Sequence, residues 1–322
     1  MSFQSKEYGK TFAKGLIRDV EAHKKFKAAA TKRKPRTAGA LPSRVDLSKK
    51  VSPPEDQGQC GSCWDFSITK ALRSSLMLVG KDPGRLAFNY LLNNCGPGPR
   101  QYGCGGGDFD AGQSMLHGKG PWLEAQDPYT QQDGNSCKNL PVAATALDWV
   151  LVGDGNGPPT FQELAEALAA NHMLSVDVAA DNEWSGYSNG IYNAQGSRGI
   201  NHMINCVGYN METSVDAQGN ALFDAHGMPV NGDGYLIVMN NWGTVWGENG
   251  YMKTRWGCNA IAETAMYFKQ DVPVPPTPPV PPVPPIPPTP SHGVEIPVWL
   301  LVAGSIALVG TGVAIGLLIP RK

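Results

Sequence analysis

Gln57-Gly-Gln-Cys60-Gly-Ser-Cys63-Trp-Asp-Phe-Ser67 is the stretch on which the reading turns. Two cysteines flank Gly-Ser, and an aromatic residue follows the second. Phe66, Thr69, Ala71, Leu72, Leu76 and Val79 then recur at three- and four-residue steps until Gly80, the pattern of a helix with an apolar face. This places Cys63 in the first helical turn. Unpaired backbone N–H groups and the helix dipole favour a thiolate there, and the thiolate is the nucleophilic form of cysteine. Cys60 and Cys63 also suit a metal knuckle or a redox pair. A zinc site calls for a second ligand pair at close spacing, and the other five cysteines supply none.

Outward from this stretch, 322 residues with 41% hydrophobic content allow a large core divided into two lobes. A net charge of −1 gives no reason to expect a nucleic-acid partner. That average hides an asymmetry: residues 1–36 carry eleven Lys or Arg against three Asp or Glu. Residues 1–40 therefore form a basic leader. Phe12, Leu16, Ile17 and Val20 suggest one helical face in it, and Thr31–Arg36 is a cationic run. No apolar core of a signal peptide follows Met1. Three readings stand open for the leader: a vestigial inhibitory arm, a surface attracting anionic lipid or nucleic acid, and a solvated flexible segment.

Phe161–Ala170 reads as a short amphipathic helix. Leu174-Ser-Val-Asp-Val178 alternates as a strand does, and Ile204–Tyr209 and Tyr235–Met239 read as further strands. Residues 210–234, rich in Gly, Asp and Asn, lie between the last two and predict an extended hairpin. Residues 271–297 are proline-rich, with twelve prolines in 273–290, and predict a polyproline II stalk. Val298–Ile319 contains no charge over 22 residues, enough for one transmembrane helix, and a short basic tail of residues 320–322 follows.

Four further stretches accompany the cysteine motif in order: Tyr102-Gly-Cys-Gly-Gly-Gly107, Asp127-Pro-Tyr129, Asn201-His202 with Val207-Gly-Tyr209, and Asn240-Asn-Trp-Gly-Thr-Val-Trp-Gly-Glu-Asn-Gly-Tyr251. Together they resemble the papain/cathepsin family of cysteine proteases across residues 41–268. The resemblance implies an α+β, papain-like two-lobe fold over residues 41–270, with a helical lobe, a β-rich lobe and the active site between them. It makes Cys63 the nucleophile and His202, 139 residues downstream, its acid/base in a thiolate–imidazolium pair. Asn240 would orient the imidazole, with Asn241 as the rival, and Gln57 would donate to the oxyanion with the Cys63 N–H. Trp242 would shield the His–Asn bond. Gly106 and Gly107 would pair with substrate backbone, and Thr264 would floor the pocket for the second substrate residue, with an apolar or aromatic preference. The disulfides carried over are Cys60–Cys104 and Cys95–Cys137. Neither a metal nor a cofactor is implied.

The expected partners are protein or peptide substrates and a membrane. A silent papain-fold binding protein and a thiol acyltransferase or amidase are the alternative functions. The absence of a signal peptide and a span near the C-terminus predict a tail anchor with the catalytic domain in the cytosol, although Arg321 and Lys322 favour the opposite orientation. Asp65, where the family has a small residue, is expected to raise the thiolate's pKa slightly or to face solvent.

Overall fold

A computed structural model describes residues 3–9, 11–33 and 40–270. The Pro-rich stalk, the apolar segment and the basic tail read from the sequence lie outside these residues. Among the described residues no helix is long and apolar enough to cross a membrane.

The leader contains β1 (Gln4–Ser5), α1 (Val20–Ala29) and β2 (Thr31–Lys32), and β3 (Arg44–Asp46) opens the next segment. Between β3 and β4 (Asp148–Leu151) the chain forms α2 (Cys63–Met77), α3 (Asn89–Leu92) and short 3-10 turns. Then come α4 (Phe161–Ala169), β5 (Leu174–Val178), α5 (Asn182–Ser185), β6 (Tyr187–Asn189), β7 (Ile191–Tyr192) and β8 (His202–Asn210). Strands β9 (Tyr235–Met239), β10 (Tyr251–Arg255) and β11 (Ala265–Lys269) complete the set. The main sheet runs β2-β4-β11-β5-β8-β9-β10-β7, with β3 added on β8.

Helix α2 is the spine. Its residues Cys63–Leu72 are all buried, the polar ones included, because α2 lies between the other helices and the sheet. The helical side packs by aromatic contact: Phe66 stacks on Phe88 at 3.8 Å and Tyr129 meets both edge-on. On the sheet side Ser67 Oγ donates to Ile204 O at 2.8 Å, and Asn205 Nδ2 donates to Ser67 O at 2.9 Å. These bonds fix the start of α2 against β8. Disulfides Cys60–Cys104 and Cys95–Cys137 brace the loops of the helical side. Cys206 and Cys258 are buried free thiols.

Helix α4 begins with a capping box. Thr160 N donates to Glu163 Oε2 at 2.7 Å and Glu163 N to Thr160 Oγ1 at 3.2 Å. Such a cap typically contributes about 1 kcal/mol.

Two expectations change. Phe12, Leu16, Ile17 and Val20 do not share a helical face: α1 starts only at Val20, where Asp19 caps it by accepting from Glu21 N and Ala22 N. Phe12 and Leu16 are buried, while Ile17 and Val20 are exposed. The described leader is thus packed, not a solvated arm. The segment 210–234 does leave and return at neighbouring positions, since Asn210 pairs with Tyr235. It is two small turns rather than one hairpin, closed by Asp216 on Asn220 and Asp224 on Met228. Met211 N donates to Ser43 O and Ala221 N to Leu41 O, so it also holds the chain leading into β3.

Candidate active site

Cys63 is the first residue of α2. The residue before it, Ser62, makes no side-chain cap; its hydroxyl is 2.7 Å from Tyr129 Oη instead. The first-turn N–H groups are therefore left for the sulfur. His202 opens β8 and pairs in register with Val178 of β5, while Asn240 directly follows β9, the strand on the other side of β8. The sheet thus presents the two side chains together. His202 Nε2 is 2.8 Å from Asn240 Oδ1. Asn241 N also donates to that oxygen, at 2.7 Å, so Oδ1 is the acceptor and Nε2 carries the proton. Nδ1 is left as the basic nitrogen, and it is buried without a partner. Trp242 stacks on the imidazole at 4.6 Å and covers the His–Asn bond.

Asn241 is not a bystander. Its buried Nδ2 donates to Met203 O at 2.9 Å and to Cys63 O at 3.3 Å. It ties the first residue of α2 to the residue after His202. Asn240 and Asn241 therefore have separate contacts: one holds the His202 imidazole, the other ties Cys63 to the strand that carries His202. Gln57 is buried beside them, with Nε2 donating to Cys60 O at 2.8 Å and Oε1 unpartnered. One amide N–H remains for an oxyanion.

The leader lies across this arrangement. Gln59 Nε2 donates to Thr11 O, Phe12 stacks on Trp242 at 4.5 Å, and Trp242 Nε1 donates to Ala13 O at 3.0 Å. Gly15 N donates to Cys63 Sγ at 3.2 Å. Gly107 N then donates to Gly15 O at 2.9 Å and Ile17 N to Gly107 O at 3.1 Å, so the loop expected to pair with substrate backbone here pairs with the leader. At Gly106, φ +133°, an added Cβ would stand 2.7 Å from both Gly15 O and the Ile17 side chain. The sulfur faces an amide N–H instead of a carbonyl carbon, so the leader offers it nothing to attack. Gly15 is required for the approach, since a Cβ there would stand 1.7 Å from Gly61 O.

Burial under the leader sets the protonation states. It pushes the Cys63 thiol up to about 11, against backbone hydrogen bonds from Met203 and Gly15 that favour the thiolate. It pushes the His202 imidazole down to about 3, a shift that the Asn240 hydrogen bond opposes and the charges of Lys14 and Lys70 reinforce. The covered site therefore holds a neutral thiol and a neutral imidazole, not the ion pair expected for an open one. Asp65 does not face solvent. It is fully buried, accepts from Thr69 Oγ1 at 2.8 Å, and burial raises its carboxyl well above the ordinary range.

Thr264 is buried between Asp177 of the peptidase domain and His23 of the leader. Its N–H donates to Asp177 Oδ1 at 2.9 Å, and its hydroxyl is 3.1 Å from His23 Nε2.

Residues 41–269 match the papain family cysteine protease. The chain belongs to that family. The papain-family stretch is 31% identical to pro-cathepsin H of Mus musculus over 72% of this chain and 66% of that protein. It is also 31% identical to vignain of Vigna mungo over 67% of this chain and 54% of that protein. The chain thus spans roughly 54–66% of these relatives. Two solved papain-family structures share the fold. A digestive procathepsin L proteinase from Tenebrio molitor larval midgut has TM-score 0.64 and 26% identity, over 80% of this chain and 78% of its own. Bromelain from Ananas comosus in complex with an inhibitor has TM-score 0.59 and 26% identity, over 72% and 100%.

Sequence reading missed Asn241's bridge, Asp177 and Lys70. Asp177 sat on the polar face of an alternating strand, but β5 is buried on both faces. Lys70 is buried, its Nζ reaches Asn240 O at 3.4 Å, and burial holds its amine down to about 7. Lys70 shares its helix face with Phe66, Ser67, Arg73 and Ser74, so no local pattern marked it as buried.

Proposed function

We propose that the chain is a cysteine endopeptidase held closed by its own leader. With the leader displaced, Cys63 would transfer its proton to His202 Nδ1. The sulfur would then attack the substrate carbonyl carbon while the oxyanion forms between the Cys63 N–H and Gln57. His202 would return the proton to the leaving amine, and water would release the acyl group. The observation that carries this is the Nε2–Asn240 hydrogen bond, which leaves Nδ1 as the free base beside a helix-start thiol. The test is Cys63→Ala in the chain with its leader cut. Loss of peptide hydrolysis with an unchanged fold supports the assignment, and retained hydrolysis refutes it. Product analysis separates transfer to water from transfer to an amine.

The 22 uncharged residues of 298–319 support anchoring in a membrane, and the tail anchor expected from the sequence would leave the catalytic domain on the cytosolic side. The two disulfides favour the opposite side, in an oxidising compartment. Digestion of the domain in sealed microsomes without detergent supports the cytosolic placement, and full protection the other.

A further inference from the structure

Two carboxylates of the peptidase domain receive the leader's cationic side chains where the leader passes Gly107. Asp177 lies on β5, paired across to Met203, the neighbour of His202. Its side chain is fully buried. The Thr264 N–H holds one of its oxygens, Oδ1. The other, Oδ2, receives Arg18 Nη2 at 2.6 Å. Asp108, which directly follows Gly107, stands with Oδ2 3.8 Å from Arg18 Nε and 2.9 Å from His23 Nδ1.

The ownership of these groups matters. Asp177, Asp108 and Thr264 belong to the peptidase domain, whereas Arg18 and His23 belong to the leader. The carboxylate that receives the guanidinium is oriented by the domain's own backbone, not by the leader. When the leader departs, Arg18 and His23 leave together. A buried carboxylate deprived of its cation is costly, so the emptied pocket favours a replacement positive charge. A leucine or phenylalanine side chain would seal Asp177 away from water with the Thr264 N–H on one oxygen and no cation on the other. The apolar preference expected from family resemblance is therefore disfavoured here by the floor of the pocket.

We propose that this pocket selects arginine as the second residue before the scissile bond. The inference rests on the peptidase reading above. Position follows from Gly107, which directly precedes Asp108 and whose backbone pairs with the leader beside Arg18, and from the family resemblance, which implies Thr264 as the floor of the pocket for the second substrate residue. Arginine fits better than lysine because its extended planar cation donates through Nη2 to Asp177 while Nε stays within ion-pair distance, 3.8 Å, of Asp108, a span that a point charge does not cover.

The test uses the full chain with a site-specific protease sequence in place of residues 36–39, cut after folding so that the leader dissociates on dilution. Two fluorogenic peptides differ only in Arg or Leu at the second position before the bond. The Arg peptide should have the higher kcat/KM by about tenfold to a hundredfold, the range expected for a charge-assisted hydrogen bond to a buried carboxylate. Asp177→Asn should remove most of that ratio. If this variant does not fold, Asp108→Asn, nearer the rim, should lower the ratio by a smaller factor, and added salt should lower it too. Equal cleavage of both peptides, or preference for Leu, overturns the pocket assignment and leaves the peptidase reading intact. Cleavage of neither overturns it as well; iodoacetamide labelling of Cys63 then shows whether the thiol was reactive, and an inert thiol would sink the peptidase reading too.

Discussion

Gly15→Ala should open the site in the full chain. An added Cβ would lie 1.7 Å from Gly61 O, 2.3 Å from its carbonyl carbon and 2.7 Å from its Cα, all backbone atoms that cannot swing away. Ordinary contact begins near 3.4 Å, so the leader must withdraw by more than an ångström. That movement breaks the Gly15 N–Cys63 Sγ bond and the Gly107 N–Gly15 O bond, and strains the Ile17 N–Gly107 O bond. At about 0.5–1.5 kcal/mol net for each bond, the loss is roughly 2–3 kcal/mol. This weakens closure about 30- to 150-fold. The assay is the second-order rate of Cys63 alkylation by iodoacetamide, followed by mass spectrometry, which scales with the open fraction. Gly157→Ala serves as control because an added Cβ there meets nothing within 4 Å. An unchanged alkylation rate in a folded Gly15→Ala protein would refute the view that this contact closes the site.

Three other outcomes follow from the geometry. Asn240→Ala should cut kcat by an order of magnitude or more by freeing the imidazole, and Asn241→Ser should lower both kcat and Tm, since two buried hydrogen bonds joining Cys63 to Met203 are lost, about 1–3 kcal/mol; a neutral Asn241→Ser would show the bridge to be idle. Acid should loosen the leader: His202 is held at about 3 when covered and returns toward its ordinary value when exposed, so the open form binds the extra proton. Closure is then fully present above about pH 6.5 and weakens by up to ~1.4 kcal/mol per unit as pH falls toward 3; hydrogen exchange at Leu16 and Ile17 in Cys63→Ala, corrected for intrinsic rates, should accelerate over that window, and flat protection would contradict it. Replacing Met211–Asp233 by a short turn should preserve the fold but lower stability by about 2 kcal/mol or more, because Met211 is fully buried; an unchanged Tm would mean the segment only decorates the surface.

Much of the site was legible because its chemistry is written in local patterns. The three- and four-residue apolar steps after Cys63 correspond to α2, and the strands expected at 174–178, 204–209 and 235–239 correspond to β5, β8 and β9. Cys60–Cys104 and Cys95–Cys137 form as the family pairing implied. The leader was not legible. Phe12 and Leu16 happen to have helical spacing, yet each is buried by a different part of an extended chain. Asp177 was misread because alternation says which residues share a face, not whether a distant segment covers that face. Asn241's role depends on two carbonyls 178 and 38 residues away, and no local pattern carries that information.

The sheet has an edge borrowed from the leader. β2 pairs in parallel with β4, Thr31 opposite Val150 and Lys32 opposite Leu151, and Arg33 N donates to Leu151 O. Wherever the leader is cut away, β4 becomes the border strand and its outward N–H and C=O groups lose their partners. A bare border of this kind is a template for any extended chain that meets it. Release of the leader therefore uncovers a second surface besides the one over the cysteine, one that favours strand-to-strand association of released domains as their concentration rises.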